Sequence, residues 1–410
     1  MDAADIRPVP LERRTQPAFD LFLIFAAANI VATTFQVGAS LGESQPVPTA
    51  LGVIVAGSVA GAALVAALAP VGSRLGVPSV IAARAALGVR GAALVAGMLY
   101  VTNFAWIAIN NVIAASACAQ VLGGPASERV WAVALGLVST AIVAQGPAAV
   151  RFADRFAVPL MGGIGIALTV ACLRLPAVGP PAAAGGQPWL HGFDLVVGYQ
   201  VSWILMFADY SRYTASPGRS AVAVFFGLAL TSAWMMPLGL VAARAAGTAD
   251  PGAMLAALGL GAAGAALLAL ATLTTNFVNI YLSALAWKSL VPTAGDRRAV
   301  WSIGVIGTGL SLLSRAWLDR YGDFMIVLGG LLVPAGGVLI ARFAFGDRPA
   351  PEELYERPGE PRRIAGVAPA GLIAWLAGAA VYHAAGAAGR TIPALATAVL
   401  AYLALRRVWR

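Results

Sequence analysis

The chain has 410 residues, 60% of them hydrophobic and only 11% charged, with a formal net charge of +9. Soluble domains carry nearer a quarter charged residues, so this composition excludes a soluble enzyme or module and describes a polytopic membrane protein. Strand alternation is absent, which argues against a membrane β-barrel, while glycine (46 in all) and alanine suit close helix–helix packing in lipid.

Apolar stretches of about 20 residues, each long enough to cross a bilayer, recur along the chain. They are expected near 19–41, 50–71, 92–121, 130–145, 156–173, 193–208, 221–243, 263–287, 299–314, 324–341, 367–385 and 391–405. With the N-terminus inside, most of the 27 basic residues fall in cytoplasmic segments, leaving Arg129, Arg174, Arg244, Arg315, Arg320 and Arg390 outside. Both termini are therefore expected in the cytoplasm, and the basic balance reports topology rather than a nucleic-acid partner. The first stretch is too long for a signal-peptide core and follows charges of both signs, so no cleaved leader is expected. Arginine used almost to the exclusion of lysine suggests a GC-rich genome and a bacterial inner membrane. The chain, 1–410, reads as one integral domain.

In the first stretch Asn29, Thr33 and Thr34 interrupt the apolar run. Hydrocarbon penalises unpaired polar groups, so such clusters are expected to face a cavity, an ion or a solute. The first and sixth stretches both open on Phe-Asp-Leu (Phe19–Leu21 and Phe193–Leu195), a faint trace of an inverted repeat whose first helices are broken. Asp20 and Asp194 then sit where a helix N-terminus favours an anion. In the third stretch Trp106 and Asn110 share a helix face, an indole and an amide together suiting a planar heterocycle. An interfacial tryptophan is the alternative, but that belongs at the end of a span. Asn111 points elsewhere and reads as interhelical glue.

In the sixth stretch Gln200 and Ser202 lie deep, whereas Asp209 and Arg212 at its cytoplasmic end read as a solvated, helix-terminating ion pair. The eighth carries Thr274, Thr275, Asn276 and Asn279. Hydroxyls and freed carbonyls there can hold a hard monovalent cation, or the hydroxyls can bond back to carbonyls one turn earlier. Both readings stay open. Leu175–Gln187 reads as an irregular outer loop, Phe345–Ile364 as a cytoplasmic loop, and Cys118 with Cys172 as two packed thiols. His191 and His383 lack the company that a metal site or catalytic set needs, so no enzyme is expected.

At these residues the chain resembles the nucleobase–cation symporter-1 family of cytosine permeases, hydantoin and allantoin carriers and hydroxymethylpyrimidine transporters. The matching pieces are Gly72-Ser-Arg-Leu-Gly-Val-Pro78 with Arg84-Ala-Ala-Leu-Gly88, Trp106, Ser202-Trp203 through Asp209-Tyr-Ser-Arg-Tyr213, and Thr274-Thr275-Asn276. The resemblance implies an all-α fold of about twelve transmembrane helices. Residues 19–345 would form a leucine-transporter-like five-plus-five inverted repeat, and 366–405 two additional C-terminal helices. It further implies Na⁺ held by Thr274, Thr275 and carbonyls near Ala27, Ile30 and Ala271. The solute would lie against Trp106, with Asn110 where relatives often use Gln and Gln200 where some carry a second stacking aromatic. Val31, Thr34, Ser202 and Asn279 would complete that pocket.

The expected function is cation-coupled import of a neutral nucleobase or pyrimidine-type vitamin precursor: cytosine, a purine or hydroxymethylpyrimidine. Na⁺ is favoured over H⁺ because no carboxylate or histidine lies deep in a span. An amino-acid carrier of the same fold is the alternative. No cofactor beyond Na⁺ is expected, and the partners are the small neutral heterocycle and the lipid bilayer, with the chain a monomer or weak oligomer.

Overall fold

Each predicted apolar stretch is helical in the computed structural model, which describes residues 6–174, 188–291, 295–313, 315–346, 349–355, 366–386 and 389–408. The predicted outer loop 175–187 lies outside the described residues, as does much of the predicted loop 345–364. The first stretch is two helices, α1 (Ala18–Asn29) and α2 (Ala32–Ser44), bent by 53° across Ile30 and an extended Val31. Helix α3 (Val47–Leu75) stops at Gly76, whose φ of +70° ends the helix in the left-handed region that glycine alone enters without strain.

Helix α4 (Ser79–Leu122) begins well before its predicted stretch and passes through a kink at Gly88, φ +75°. The kink frees two backbone groups that a distant segment takes up. The amide of Ala368 donates to Leu87 O at 2.8 Å, and that of Arg90 to Gly366 O at 2.9 Å. A Cβ on Gly88 would sit 2.5 Å from the Gly366 carbonyl oxygen, so both φ and space demand glycine.

Then follow α5 (Glu128–Ala144), α6 (Pro147–Leu173) and α7 (Trp189–Gln200), which tightens into 3-10 turns over Val201–Met206 and Ser211–Tyr213. The sixth stretch is thus interrupted at mid-length like the first. Next come α8 (Pro217–Ala246), the short α9 (Pro251–Ala257), α10 (Gly261–Leu290), α11 (Asp296–Leu310), the short α12 (Arg315–Asp319) and α13 (Tyr321–Phe345). The pair α14 (Pro369–Ala384) and α15 (Thr391–Leu405) closes the chain. Helices α3, α4, α8, α10 and α13 are each long and apolar enough to span a bilayer, and α1 with α2 makes a sixth such unit.

Two packing groups organise the helices. In one, α1, α2 and α3 pack around α8, with α7 against α3; in the other, α4, α5, α10 and α11 pack together, with α13 leaning on α7 and α15. Helix α3 meets α8 and α4 meets α10, partners that stand in matching places of the two halves. Lipid supplies little hydrophobic drive between helices, so contact depends on small residues and polar bonds. At the α2–α8 crossing the backbones nearly touch: a Cβ on Gly38 would lie 1.8 Å from Met236 O, and one on Gly239 1.9 Å from Phe35 O. Nearby, Asn29 Nδ2 donates to Thr231 Oγ1 (2.8 Å), Ser232 Oγ (2.7 Å) and Leu228 O (3.1 Å).

Asp194 departs from its expected role. It lies inside α7, buried, and its carboxylate accepts the amides of Arg390 (2.8 Å) and Thr391 (3.0 Å). The helix N-terminus it serves belongs to α15, not to its own helix.

Overpacking the α2–α8 crossing should cost about 1–3 kcal/mol. Gly38→Val is therefore expected to lower the thermal unfolding midpoint in detergent by several degrees. Gly97→Ala, whose added Cβ meets nothing within 4 Å, should leave it unchanged.

Candidate functional site

The break between α1 and α2 removes helical partners from both sides. Ile30 N still reaches Ala26 O at 3.0 Å, and the ladder resumes only with Phe35 N to Val31 O at 3.3 Å. Between them the carbonyls of Ala27 and Ile30 have no i+4 amide among the backbone bonds of the described residues. Side chains pin the break. Thr34 Oγ1 donates to Asn29 O at 2.6 Å and pairs with Tyr199 Oη at 2.5 Å, while Tyr321 Oη donates to Thr33 O at 2.9 Å.

Beside this break lies a cavity of about 460 Å³, walled by α1, α4, α10 and the 3-10 continuation of α7. Trp106 forms one wall, its ring 5.9 Å from Tyr199 and 5.4 Å from Phe324, both edge-on. Trp203 lines the cavity with its ring 5.6 Å from Phe25. Two amide atoms on the wall are buried without a partner. Asn110 Nδ2 donates to Trp106 O at 2.8 Å, which leaves Asn110 Oδ1 unpaired, and Asn279 Nδ2 is unpaired too. Burying a polar atom without a bond costs about 1–3 kcal/mol, so an acceptor on α4 and a donor on α10 are left to be satisfied in residues that line the cavity. None of the described lining residues is Asp, Glu, Lys or Arg.

Of the residues predicted from sequence, Ala27, Val31, Trp106, Asn110, Ser202, Thr274, Thr275 and Asn279 line this one cavity. Gln200 does not. It is fully buried, donating to Ser232 Oγ of α8 at 3.0 Å, because it stands about 100° round α7 from Tyr199. Its neighbours Tyr199 and Trp203 take the wall instead, so the predicted loss of a second aromatic is a matter of register. Thr34 does not line the cavity either; its hydroxyl is spent on the break. Ile30 and Ala271 lie next door, with Val31, on a gap of about 10 Å³.

Thr274 and Thr275 bond back along their own helix, both to Ala271 O, at 3.0 and 2.7 Å. Each hydroxyl spends its proton there and keeps its lone pairs, so they remain competent oxygen ligands. Asn276 turns away, donating to Asn111 Oδ1 at 2.8 Å, and Asn111 Nδ2 donates to Ser311 Oγ at 3.0 Å. That chain ties α4, α10 and the turn after α11, as glue.

Asp209 and Arg212 are 6% and 2% exposed, so they are buried rather than solvated. Arg212 Nη2 donates to Tyr213 Oη at 2.9 Å and its Cζ lies 4.9 Å from that ring. The 3-10 turns fold this segment back under the cavity beside Tyr281, a lining residue that sequence spacing did not single out. Tyr199, Trp203, Tyr210 and Tyr281 were all missed as walls. Their signal was partial: Tyr199 and Trp203 stand four apart and Trp203 and Tyr210 seven, in a stretch read as continuous helix, while Tyr281 lies on α10.

The cavity runs toward the side of the membrane that carries the N-terminus, since Leu23, Met206, Tyr210 and Tyr281 line it there. On the other side it is closed by Trp106, Phe324, Trp317, Tyr199 and Tyr321, with ring centroids of successive partners 5.4 to 6.2 Å apart where they stack edge-on.

A family of proteins described as permeases for cytosine/purines, uracil, thiamine and allantoin matches residues 8–403. A cytosine permease of Escherichia coli (strain K12) is 27% identical over 218 residues, which cover 52% of this chain and 51% of that permease. The chain thus spans about half the length of the curated relatives it matches. Two structures of Mhp1, a nucleobase-cation-symport-1 family transporter, share its fold. The closed form with bromovinylhydantoin bound has a TM-score of 0.82 at 20% identity over 98% of this chain and 94% of that one. The inward-facing form has 0.85 at 19%, over 100% and 94%. A Na⁺-coupled sialic acid symporter reaches 0.66 at 10% identity, over 97% and 91%.

The two asparagines of α10 separate structure from site. Asn276→Ala should leave Asn111 Oδ1 buried and unpaired and cost about 1–3 kcal/mol, read as a lowered unfolding midpoint. Asn279→Ala, which removes an atom already without a partner, should leave the solute-free midpoint unchanged.

Proposed function

The chain belongs to the family of permeases for cytosine/purines, uracil, thiamine and allantoin, and from that premise we propose that it imports a small neutral heterocycle by cation symport. The observation that carries this reading is the wall of the cavity: two indoles, an unpaired amide acceptor on Asn110, an unpaired amide donor on Asn279 and no charge. A planar solute with a donor beside an acceptor on one edge satisfies both atoms and stacks on Trp106. Nucleobases and pyrimidine-type precursors such as cytosine and hydroxymethylpyrimidine have that edge; a zwitterionic amino acid finds no opposite charge there.

Sodium is the proposed coupling ion. Ala27 and Ile30 bring carbonyls freed by the break, with the negative end of α1 behind them, and Thr274 and Thr275 bring hydroxyl oxygens across from α10. Ala271 O already accepts both hydroxyls, so an ion takes it up only as Thr275 turns away. Solute and ion meet at one break and favour the same closed arrangement, which is the linkage that symport requires. The present arrangement is read as open to the cytoplasm of a bacterial inner membrane, with both termini inside, 19–345 as the transport core and 366–405 as two added helices.

A thermal-shift panel of nucleobases and pyrimidine precursors, in sodium against potassium, tests the reading. One heterocycle should raise the unfolding midpoint in sodium only. Asn110→Ala and Asn279→Ala should each weaken that hit roughly tenfold, the loss of a bond worth about 1–2 kcal/mol. Trp106→Ala should abolish it, and Thr275→Ala should erase the difference between sodium and potassium. A hit indifferent to all four substitutions would place the solute elsewhere.

A further inference from the structure

A second cavity, of about 490 Å³, lies on the opposite side of the aromatic layer from the first, and its chemistry is the reverse. Glu43, Glu128, Asp250, Asp319 and Asp323 all line it, and among the described lining residues there is no Lys or Arg; His191 is the nearest to a base. This happens in a chain whose net charge is +9. Five carboxylates around one concave space repel one another, and low-dielectric walls focus their field rather than letting water disperse it.

Carboxylates alone are common on a solvated face, but here a neutral group points to a ligand as well. Gln36, 2% exposed on α2, lines the same cavity. Its Nε2 is fixed on Ala249 O at 2.9 Å, and its Oε1 is buried with no donor. A buried oxygen without a proton donor, beside an excess of negative charge, is an environment for a cation. Asp250 is held by Ser116 Oγ and the Ala253 amide, and Glu43 by the Ala249 amide, so the floor of the cavity is built rather than loose.

We propose that this vestibule binds a hydrated monovalent cation on the face of the membrane opposite the N-terminus. Among the described residues no three of Asp, Glu, His or Cys stand close enough to hold a metal directly. Direct coordination by three such groups is therefore not the mode proposed, and the ion is held through its water shell. The ion keeps its water, exchanges fast, and is concentrated at the mouth of the closed layer. The vestibule does not depend on the transport reading, and its test measures no uptake.

The test is ²³Na NMR linewidth with the purified full chain in neutral detergent, against protein-free micelles. The chain is expected to broaden the line, and a variant carrying Glu43→Gln, Asp319→Asn and Asp323→Asn to lose at least half of that excess. Asp250 is kept because it caps α9. Thr275→Ala should lose only the share of the ion group at the break and keep at least half of the excess, which separates the vestibule from that group. An unchanged excess in the triple variant, or its loss in Thr275→Ala alone, would overturn the proposal. Should the triple variant fail to fold, Asp323→Asn alone, at an exposed position, decides it by a partial loss or none.

Discussion

A helix broken in the middle of an apolar bundle is the constraint on which the rest of the structure depends. Lipid offers freed carbonyls and amides no partner, so a break survives only where protein groups, a wet cavity or a cargo take them up. Between Asn29 and Ala32 the chain answers with side chains: Asn29 reaches three acceptors on α8, Thr34, itself paired with Tyr199, donates to the carbonyl of Asn29, and Tyr321 donates to that of Thr33. What remains unclaimed are the carbonyls of Ala27 and Ile30. Ala27 lines the same cavity as the back-bonded Thr274 and Thr275 of α10, and Ile30 lies beside it.

The same economy separates support from site among the polar residues. Asn111, Asn276 and Ser311 are paired with one another across three elements and make the α4–α10 group rigid. Asn110 and Asn279, one or three residues away in the chain, each keep an atom unpaired on the cavity wall. Helical rotation of about 100° per residue is enough to send adjacent amides to opposite duties. The α2–α8 crossing follows a like rule: Gly38 and Gly239 bring two backbones into contact, so the break is carried by a surface that does not yield.

Two cavities of similar size but opposite character, one apolar and aromatic, the other acidic, are kept apart by a layer of five aromatic side chains. Each side of that layer is a different solvent.

Much of this was legible in the sequence. Composition and the spacing of apolar stretches determine a multi-pass helical membrane protein, because bilayer thickness fixes how long an apolar run must be. The polar clusters in those stretches locate both the cavity wall and the interhelical bonds beside it, because hydrocarbon penalises polar groups that have neither. Helical spacing also placed Trp106 with Asn110 correctly on that wall. Only the tertiary structure decided the rest. It put Gln200 behind the wall and Tyr199 and Trp203 onto it, because the packing of α3 and α8 decides which face of α7 meets the cavity. It buried Asp209 and Arg212, which an ideal helix end would have left in water, and gave Asp194 to a helix nearly two hundred residues away. It also gathered acids from five separate loops and helix ends into one vestibule. Period and composition act along the chain, whereas breaks, turns and long-range partners depend on what arrives from elsewhere, and that information is not local.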